Sequence, residues 1–533
     1  MPRRRYFRHT VLLVIALLLV AQAPVLARQR ALPASQADAL LPSADAFIDG
    51  HLTGELSHYT VDATFTPATT GDFATLEGEL TLDWVNPADT AQSEIPLRLY
   101  ANDSRYRDGS IAISDVEIDG EEVVPEYATS DDIDAAIPLP TPLKPDDRVE
   151  LTLSFVATIP NDIVSGYGMF NHDSATDSYT LDHWLPLVAG YDPENGFELD
   201  PVSVNGDPVF STVAYFDVTL TTPSEMVVAS TGTLEKESSK GDQTIARFVS
   251  GPVRDFTLAI SPNFKIATGK AGEIEIRSYY LTGHEERGKA ARDWAIDAVN
   301  LFDDLIGPYP YKQLSVIDAA IGGGAAGIEF PQIIFIGSWY YDEPLDGETI
   351  PRGQEFTLVH EVLHQWWYGL VGNNQYQHAF LDESLTNYLT TVYFERVYDE
   401  EVAQQQTLLN ILAPYLIYLY GVGGTANEDA VLDTPTDDFR SELAYSVIVY
   451  NKGPLAFQAI REAMGDDAFF SAIASYFDAH ALQIAQPDDL LDAFVAETDV
   501  DIAAVWQNWI EEANGKDDIP LELALEILRS IGR

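Results

Sequence analysis

The apolar pattern of this chain changes period once, near Gly283, and that change divides what it can fold into. Upstream, short segments such as Tyr59 to Phe65, Ala74 to Leu82, Glu94 to Tyr100 and Glu150 to Val156 alternate apolar and polar residues. Turn clusters at Asn86-Pro87-Ala88-Asp89 and Lys144-Pro145-Asp146-Asp147 separate them, and runs near 213–221, 225–234, 244–249 and 273–280 keep the rhythm. A period of two turns alternate side chains to one buried face, so residues 51–282 are expected to form an all-β domain, a sandwich-like or saddle-shaped pair of sheets. Downstream the period becomes 3.6. Glu285 to Leu305 reads as an amphipathic helix, Leu314 to Ile317 and Ile333 to Ile336 read as buried strands, and a Gly-rich segment lies between those strands. Beyond Gln354 the chain is predominantly helical, near 354–369, 379–398, 400–419, 440–464, 466–480, 487–497 and 501–513. The fold class is therefore α+β and multidomain, with a second domain over 283–520 and a tail helix over 521–533. No internal repeat is present, which excludes solenoids and propellers.

The first 27 residues stand apart. Arg3, Arg4, Arg5 and Arg8 precede the apolar run Val11 to Ala21, and small residues follow at Ala23 and Ala27. This is the order of a signal peptide, with cleavage expected after Ala27. The rival reading is an uncleaved N-terminal membrane anchor, because the run is only slightly shorter than the roughly 18 residues that span a bilayer. Either way the expected location is exported: secreted, periplasmic or cell-surface. Residues 28–50 read as a linker. The chain has no Cys, so its core and any metal must hold it without disulfides. A net charge of -54 spread along the sequence repels nucleic acid and anionic membranes and favours cationic ligands.

One constellation in the second half carries chemistry. His360-Glu361-Val362-Leu363-His364 is followed, after 18 intervening residues, by Glu383 in another helical segment. Side chains four apart on a helix differ by about 40° in direction and about 6 Å in height, so His360 and His364 can aim at one ion. Glu361 lies about 100° round the same helix, within reach of a water on that ion. Two His and one carboxylate leave a fourth position open, the arrangement of a catalytic Zn2+ site, with one ion per chain expected.

The wider segments are His360 to Gly369, Phe380 to Tyr388, Ala326-Gly327-Ile328-Glu329-Phe330-Pro331 and Tyr450-Asn451-Lys452-Gly453. Taken in chain order, these four segments resemble the aminopeptidase N family of gluzincin metallopeptidases, over about residues 50–515. The resemblance implies a thermolysin-like catalytic domain with a helical lobe, and hydrolysis of the N-terminal residue from peptides with a free N-terminus. It implies His360, His364 and Glu383 as zinc ligands, Glu361 as general base, Tyr450 as donor to the developing oxyanion, and Glu329 as anchor of the substrate amine. The segment containing Ala326 and Gly327 would hydrogen-bond an extended peptide. Asp177, upstream of Trp184-Leu185-Pro186, aligns loosely with a second amine anchor. The chain departs from the family at Ile328, Phe330, Phe380 and Asn451, positions that bear on the pocket for the first side chain. It ends about 80 residues past Tyr450, which predicts no long C-terminal helical domain and a more open cleft.

Other residues have plainer readings. Trp366 and Trp367 are expected to pack the metal-binding helix. His172, His183 and His378 are expected to be surface or satisfied polar residues, and Asp433 to Asp438 a solvated loop. The glycines from Gly322 to Gly327 do not make a phosphate loop, since no Lys-Ser/Thr follows and no helix opens there. Three alternatives share the metal set: a thermolysin-like endopeptidase, a leukotriene-type epoxide hydrolase, and a secreted binding protein with a structural metal. An intact Glu361 speaks against the last, because bracing a fold needs no base.

Overall fold

In a computed structural model, residues 35–531 are described, apart from 129–131, 162, 164, 207–208, 349 and 422–426. The expected signal peptide at 1–27 lies outside the described residues.

The alternating segments form a sandwich. An eight-stranded sheet runs in the order Thr233–Lys240, Gln243–Val249, Tyr215–Pro223, His58–Thr66, Ala74–Val85, Arg148–Ile159, Ser110–Ile118 and Glu121–Glu122. Its neighbours are antiparallel except His58–Thr66 with Tyr215–Pro223. Register pairs Leu80 with Leu153 and Leu82 with Leu151, so period-two apolar residues from adjacent strands share one buried face. Two four-stranded sheets add the covering layer, and rings such as Phe65 and Tyr179, 4.9 Å apart, meet across the interface.

A five-stranded sheet organises the second half, in the order Lys265–Ala271, Ile274–Tyr280, Gln313–Ala319, Ile333–Gly337 and Gly327–Phe330. The middle pairings are parallel and Gly327–Phe330 is an antiparallel edge. Gln313–Ala319 and Ile333–Gly337 are buried at every position, the pattern of strands covered on both faces. The helix Glu285–Leu305 has the limits its periodicity predicts. Below it lies Gly353–Leu363, and then the helical lobe, from Glu383–Val397 to Leu521–Ile531.

Two boundaries differ from expectation. The strands Lys265–Ala271 and Ile274–Tyr280, assigned to the first domain by their alternation, hydrogen-bond into the second sheet, so the seam falls after Ser261. Alternation reports a strand, not its partner. The expected linker carries a short helix, Asp45–His51, and is docked: Leu41 N donates to Pro310 O and Lys312 N to Ala39 O, with Ala39, Leu40 and Ile48 buried. So short a segment gives too few turns to reveal a period.

Arg254 binds the two halves together. Its buried guanidinium donates to the carbonyls of Tyr368 (2.5 Å), Ser211 (3.0 Å), Gln483 (2.9 Å) and Leu370 (3.3 Å). Burial pushes it down to about 10, so it stays charged at neutral pH. Tyr368 leaves the metal-binding helix at φ 93°, uncommon for a side-chain-bearing residue, and its phenol donates to Asp255 Oδ2 at 2.6 Å. Burial, and then the neighbouring Asp182, push the Asp255 carboxyl well above the ordinary carboxylate range. Arg254→Ala would leave four carbonyls short of a donor, and should lower unfolding stability by roughly 3 kcal/mol or more, read from denaturant midpoints.

Candidate metal centre and its cleft

The helix Gly353–Leu363 carries His360 and Glu361, with His364 at its C-cap. Glu383 is the first residue of Glu383–Val397, where Asp382 Oδ1 accepts the Glu383 N–H at 2.8 Å. The donors converge. His360 Nε2 lies 3.1 Å from His364 Nε2 and 3.1 Å from Glu383 Oε2, and His364 Nε2 lies 3.4 Å from that same oxygen. Ligands about 2.0–2.1 Å from a tetrahedral zinc are separated by roughly 3.3–3.4 Å, so this trio fits one zinc ion. His364 Nδ1 sits 3.1 Å from Trp367 O, a contact that leaves Nε2 free as the ligand atom.

The trio's electrostatics agree with that use. Burial pushes His360 below its ordinary value, favouring the neutral imidazole that binds metal. Burial works the same way on His364, but the carboxylates of Glu329 and Glu383 outweigh it and hold the ring well above its ordinary value. Burial would raise Glu383, yet its bond to His360 and the charge on His364 hold it well below the ordinary range. The same carboxylates favour positive charge at this point, which is what an ion would supply.

Glu361 faces the edge strand Gly327–Phe330. One ligand atom each from Glu329, Glu361 and His364 lie within 4.8 Å of one another. A Cβ built on Gly327 would overlap Glu361 Oε1 and come 2.6 Å from its Cγ, so the absent side chain is what admits this carboxylate. Gln365, next after His364, clamps the end of the strand: Nε2 donates to Phe330 O at 2.9 Å and Oε1 accepts from Gln332 N at 2.7 Å. Ala326 lines the cleft, and its carbonyl accepts Gly337 N at 3.0 Å.

Tyr450 arrives on a π turn, Ile448–Lys452, within the helical run 442–464. Such a turn shifts carbonyls out of the regular ladder. Here Ser384 Oγ donates to Val449 O at 2.6 Å and Asn387 Nδ2 to Tyr450 O at 2.5 Å, so the helix that begins with Glu383 also grips the turn. A Cβ on Gly453 would strike Ser384, which explains the glycine. Lys452 is buried against Asp429 at 3.0 Å and donates to Ala430 O and Glu512 O, anchoring the turn from behind. The Tyr450 phenol donates to Glu383 Oε1, so it borders the metal trio.

These groups line a cleft of about 380 Å³. The β-rich half contributes Tyr167, Met169 and Gly206, which sequence reasoning did not single out. Tyr167 sits between Gly166 and Gly168 in a turn where all three have positive φ, 57°, 57° and 84°. That clustering of glycine was the available signal. Gln365, Ser384 and Asn387 were also missed as supports, though each lies inside a quoted motif.

Asp177 is not brought to the cleft. It occupies the turn between Phe170–Asp173 and Ser178–Leu181, half exposed, 3.4 Å from His172 Nε2. The loose alignment counted residues along a segment whose strands fold it away from the metal trio. Trp184 is buried core, bonded to Phe256 O. His172 stacks on Tyr179, His183 contacts the Tyr106 phenol at 2.6 Å and Asp182 at 2.8 Å, and His378 pairs with Asp433 at 2.7 Å. Trp366 and Trp367 pack as expected, against Tyr309 and Tyr476 respectively. The acidic loop is more than solvated charge: Asp437 accepts from Ser203 Oγ at 2.7 Å and Thr436 O from Asn205 Nδ2 at 2.9 Å.

A mixed sheet with a parallel centre and antiparallel edges, a helix bearing two His and a Glu, and a third ligand from the next helix define a metallopeptidase-type domain. Residues 308–509 match the family model described as "Peptidase family M1 domain". The chain is 25% identical over 325 residues to Aminopeptidase M1-B of Oryza sativa subsp. japonica, covering 57% of this chain and 35% of that one. It is 23% identical over 286 residues to Aminopeptidase N of Lactobacillus delbrueckii subsp. lactis, covering 52% and 32%. The matched stretch spans about a third of the length of these curated relatives. A crystal structure of an M1 zinc metallopeptidase from Deinococcus radiodurans superposes with a TM-score of 0.58 at 18% identity, covering 86% of this chain and 94% of that one. A mutant of an M1 zinc metallopeptidase from that organism, bound to a Tyr-Ser-Ala substrate, gives 0.59 at 18% identity, covering 86% and 95%. Residues 308–509 thus match a peptidase M1 domain, in line with the aminopeptidase N family that the motifs resemble.

Two outcomes follow from the geometry. Gly327→Ala should displace Glu361 while leaving the three ligands in place, so metal content by mass spectrometry stays near one ion per chain while turnover falls at least tenfold. Metal uptake should release the proton held by His364. Apparent affinity for zinc should therefore weaken as pH falls below that raised pKa, by up to about tenfold per unit, measurable by competition with a chelator.

Proposed function

We propose that the protein is an exported, zinc-dependent aminopeptidase that removes the first residue from peptides. The observation that carries the reading is the carboxylate of Glu329, buried on the edge strand beside Glu361 and His364. A fixed anion there suits the cationic amine of a free N-terminus, and holding that amine aligns only the first peptide bond with the metal trio. The peptidase M1 domain match over residues 308–509 and the aminopeptidase names of similar proteins support the same activity.

His360, His364 and Glu383 would hold the zinc, which when bound polarises a carbonyl and brings a water's pKa near neutrality. Glu361, displaced about 100° around the helix from the ligand His360, takes the proton of the attacking water and returns it to the departing amine. The phenol of Tyr450 donates to the oxygen on which negative charge develops. Exchanging its bond to Glu383 for that oxygen makes the donation stronger in the transition state than in the resting site. The strand Gly327–Phe330 is the last of its sheet among the described residues, a position along which a peptide can lie extended. The basic leader at residues 3–8, with its apolar run, supports export, and N-terminal sequencing of the exported protein should begin at Arg28.

Aminoacyl-anilides with a free amine should be hydrolysed and their N-acetylated counterparts spared. Cleavage of blocked, internally quenched peptides would instead favour an endopeptidase. Glu361→Gln should retain zinc and lose about 10²–10⁴-fold in kcat. Tyr450→Phe should lose roughly a hundredfold, chiefly in kcat. Equal activity of the Glu361→Gln variant and its parent would reject the mechanism.

A further inference from the structure

Where the metal-binding helix ends, at the seam between the two halves, lies a buried pair of acids that the hydrolytic reading does not use. Asp182 and Asp255 are 2% and 1% exposed, and Asp182 is the charged neighbour that acts most strongly on Asp255. Two ionised carboxylates set together out of water repel each other unless positive charge meets them. The cation beside them does not do so: Arg254 gives its donors to the carbonyls of Tyr368, Ser211, Leu370 and Gln483, and none to a carboxylate. Other donors are unevenly divided between the two acids. The Thr257 hydroxyl lies against both and donates to Asp182 Oδ1 at 2.9 Å, and Asp182 Oδ2 is 2.8 Å from His183 Nε2. Asp255 Oδ2 accepts the Tyr368 phenol at 2.6 Å, while its buried Oδ1 meets no hydrogen-bond partner among the described residues.

Tyr368 connects this pair to a zinc ligand. The carbonyl of Trp367 and the N–H of Tyr368 belong to one planar peptide unit. That carbonyl oxygen lies 3.1 Å from His364 Nδ1, and the N–H donates to Val371 O at 2.8 Å. Tyr368 itself has φ 93°, a conformation that persists only where its surroundings hold it. Two of those holds are its phenol on Asp255 and its carbonyl on Arg254. Releasing the phenol lets the residue relax and turns the peptide plane. Trp367 O then leaves His364 Nδ1, and the ring loses the contact that aims its Nε2 at the metal position.

We propose that Asp255 acts as a protonated carboxylic acid against Asp182, and that it is a positioning residue that fixes His364 for zinc through Tyr368 and the Trp367 carbonyl. One proton on the pair leaves a single carboxylate opposite a single guanidinium and keeps Asp255 Oδ2 as an acceptor for the phenol. The groups that face Asp255 are Asp182, Arg254 and Tyr368, with His183 and Tyr106 behind Asp182 and Glu329 beyond Tyr368. The inference rests on the zinc reading of the trio and on no particular substrate.

Its test uses the full chain and two readouts that need no turnover. Zinc affinity is measured at neutral pH by competition with a chelator. Asp255→Ala and Tyr368→Phe should each weaken it at least tenfold, and together no more than either alone. Asp255→Asn keeps an acceptor for Tyr368 and offers Asp182 an N–H in place of the acid's O–H, so it should stay within about threefold of the parent. The second readout is the denaturant midpoint between about pH 4 and about pH 8. A carboxyl that holds its proton in the fold and loses it on unfolding makes the parent less stable as pH rises, so the Asp255→Asn midpoint should climb relative to the parent across that window. A difference that stays flat or reverses overturns the proposal, as does an Asp255→Asn variant that binds zinc as weakly as Asp255→Ala. Unchanged zinc affinity in Tyr368→Phe also overturns it, and this variant keeps the ring in place where Asp255→Ala does not fold. A parent that binds no zinc would remove the metal reading and this inference together, whereas failure to cleave any free-amine substrate would remove the aminopeptidase reading alone.

Discussion

Buried negative charge seeking a central cation is the constraint around which the second half of the molecule is arranged. Glu329, Glu361 and Glu383 are all buried, and carboxylates so close cannot all remain ionised unless positive charge lies among them. The two imidazoles face that point with their Nε2 atoms 3.1 Å apart, a separation that suits a shared ion and is poor for two protonated rings. A divalent metal meets both demands at once.

Holding such a centre takes a scaffold that moves little. The His-bearing helix is fixed at its exit by Arg254, reaching across from the β-rich half, and by Tyr368 against Asp255. The edge strand is fixed by Gln365, and the Tyr450 turn by Ser384, Asn387 and Lys452. Apart from Arg254 and Asp255, each support is a residue one to four positions from a metal-ligand candidate, Tyr450 or Phe330. One short segment therefore sets both the chemistry and the geometry around it, which is why the motifs extend beyond the metal ligands themselves.

Much of this was legible in the amino-acid order. Period alone located the helix Glu285–Leu305 and the buried strands beside the Gly-rich segment, because each lies wholly in one environment. The metal trio was legible because two of its members are four apart on one helix and the third opens the next. What could not be read were partnerships set by the folded chain. Residues 273–280 alternate like any strand of the first domain, yet Ile274–Tyr280 hydrogen-bonds within the second sheet. Asp177 is near the cleft in sequence terms only. Tyr167 and Met169 reach it through a turn of three left-handed residues, a geometry that leaves no periodic trace.

The bridge from Ser203 and Asn205 to Thr436 and Asp437 has a consequence for how the two halves are held. It joins the two halves on the side away from Arg254 through hydrogen bonds, with Gly206 lying close against the Tyr445 phenol. Bonds of that kind can be exchanged for water at little net cost, whereas the aromatic packing behind the His-bearing helix cannot. The two halves are thus joined unevenly: four carbonyl bonds to Arg254 and ring packing behind the His-bearing helix on one hand, and two side-chain bonds at Thr436 and Asp437 on the other, the join that water replaces more readily.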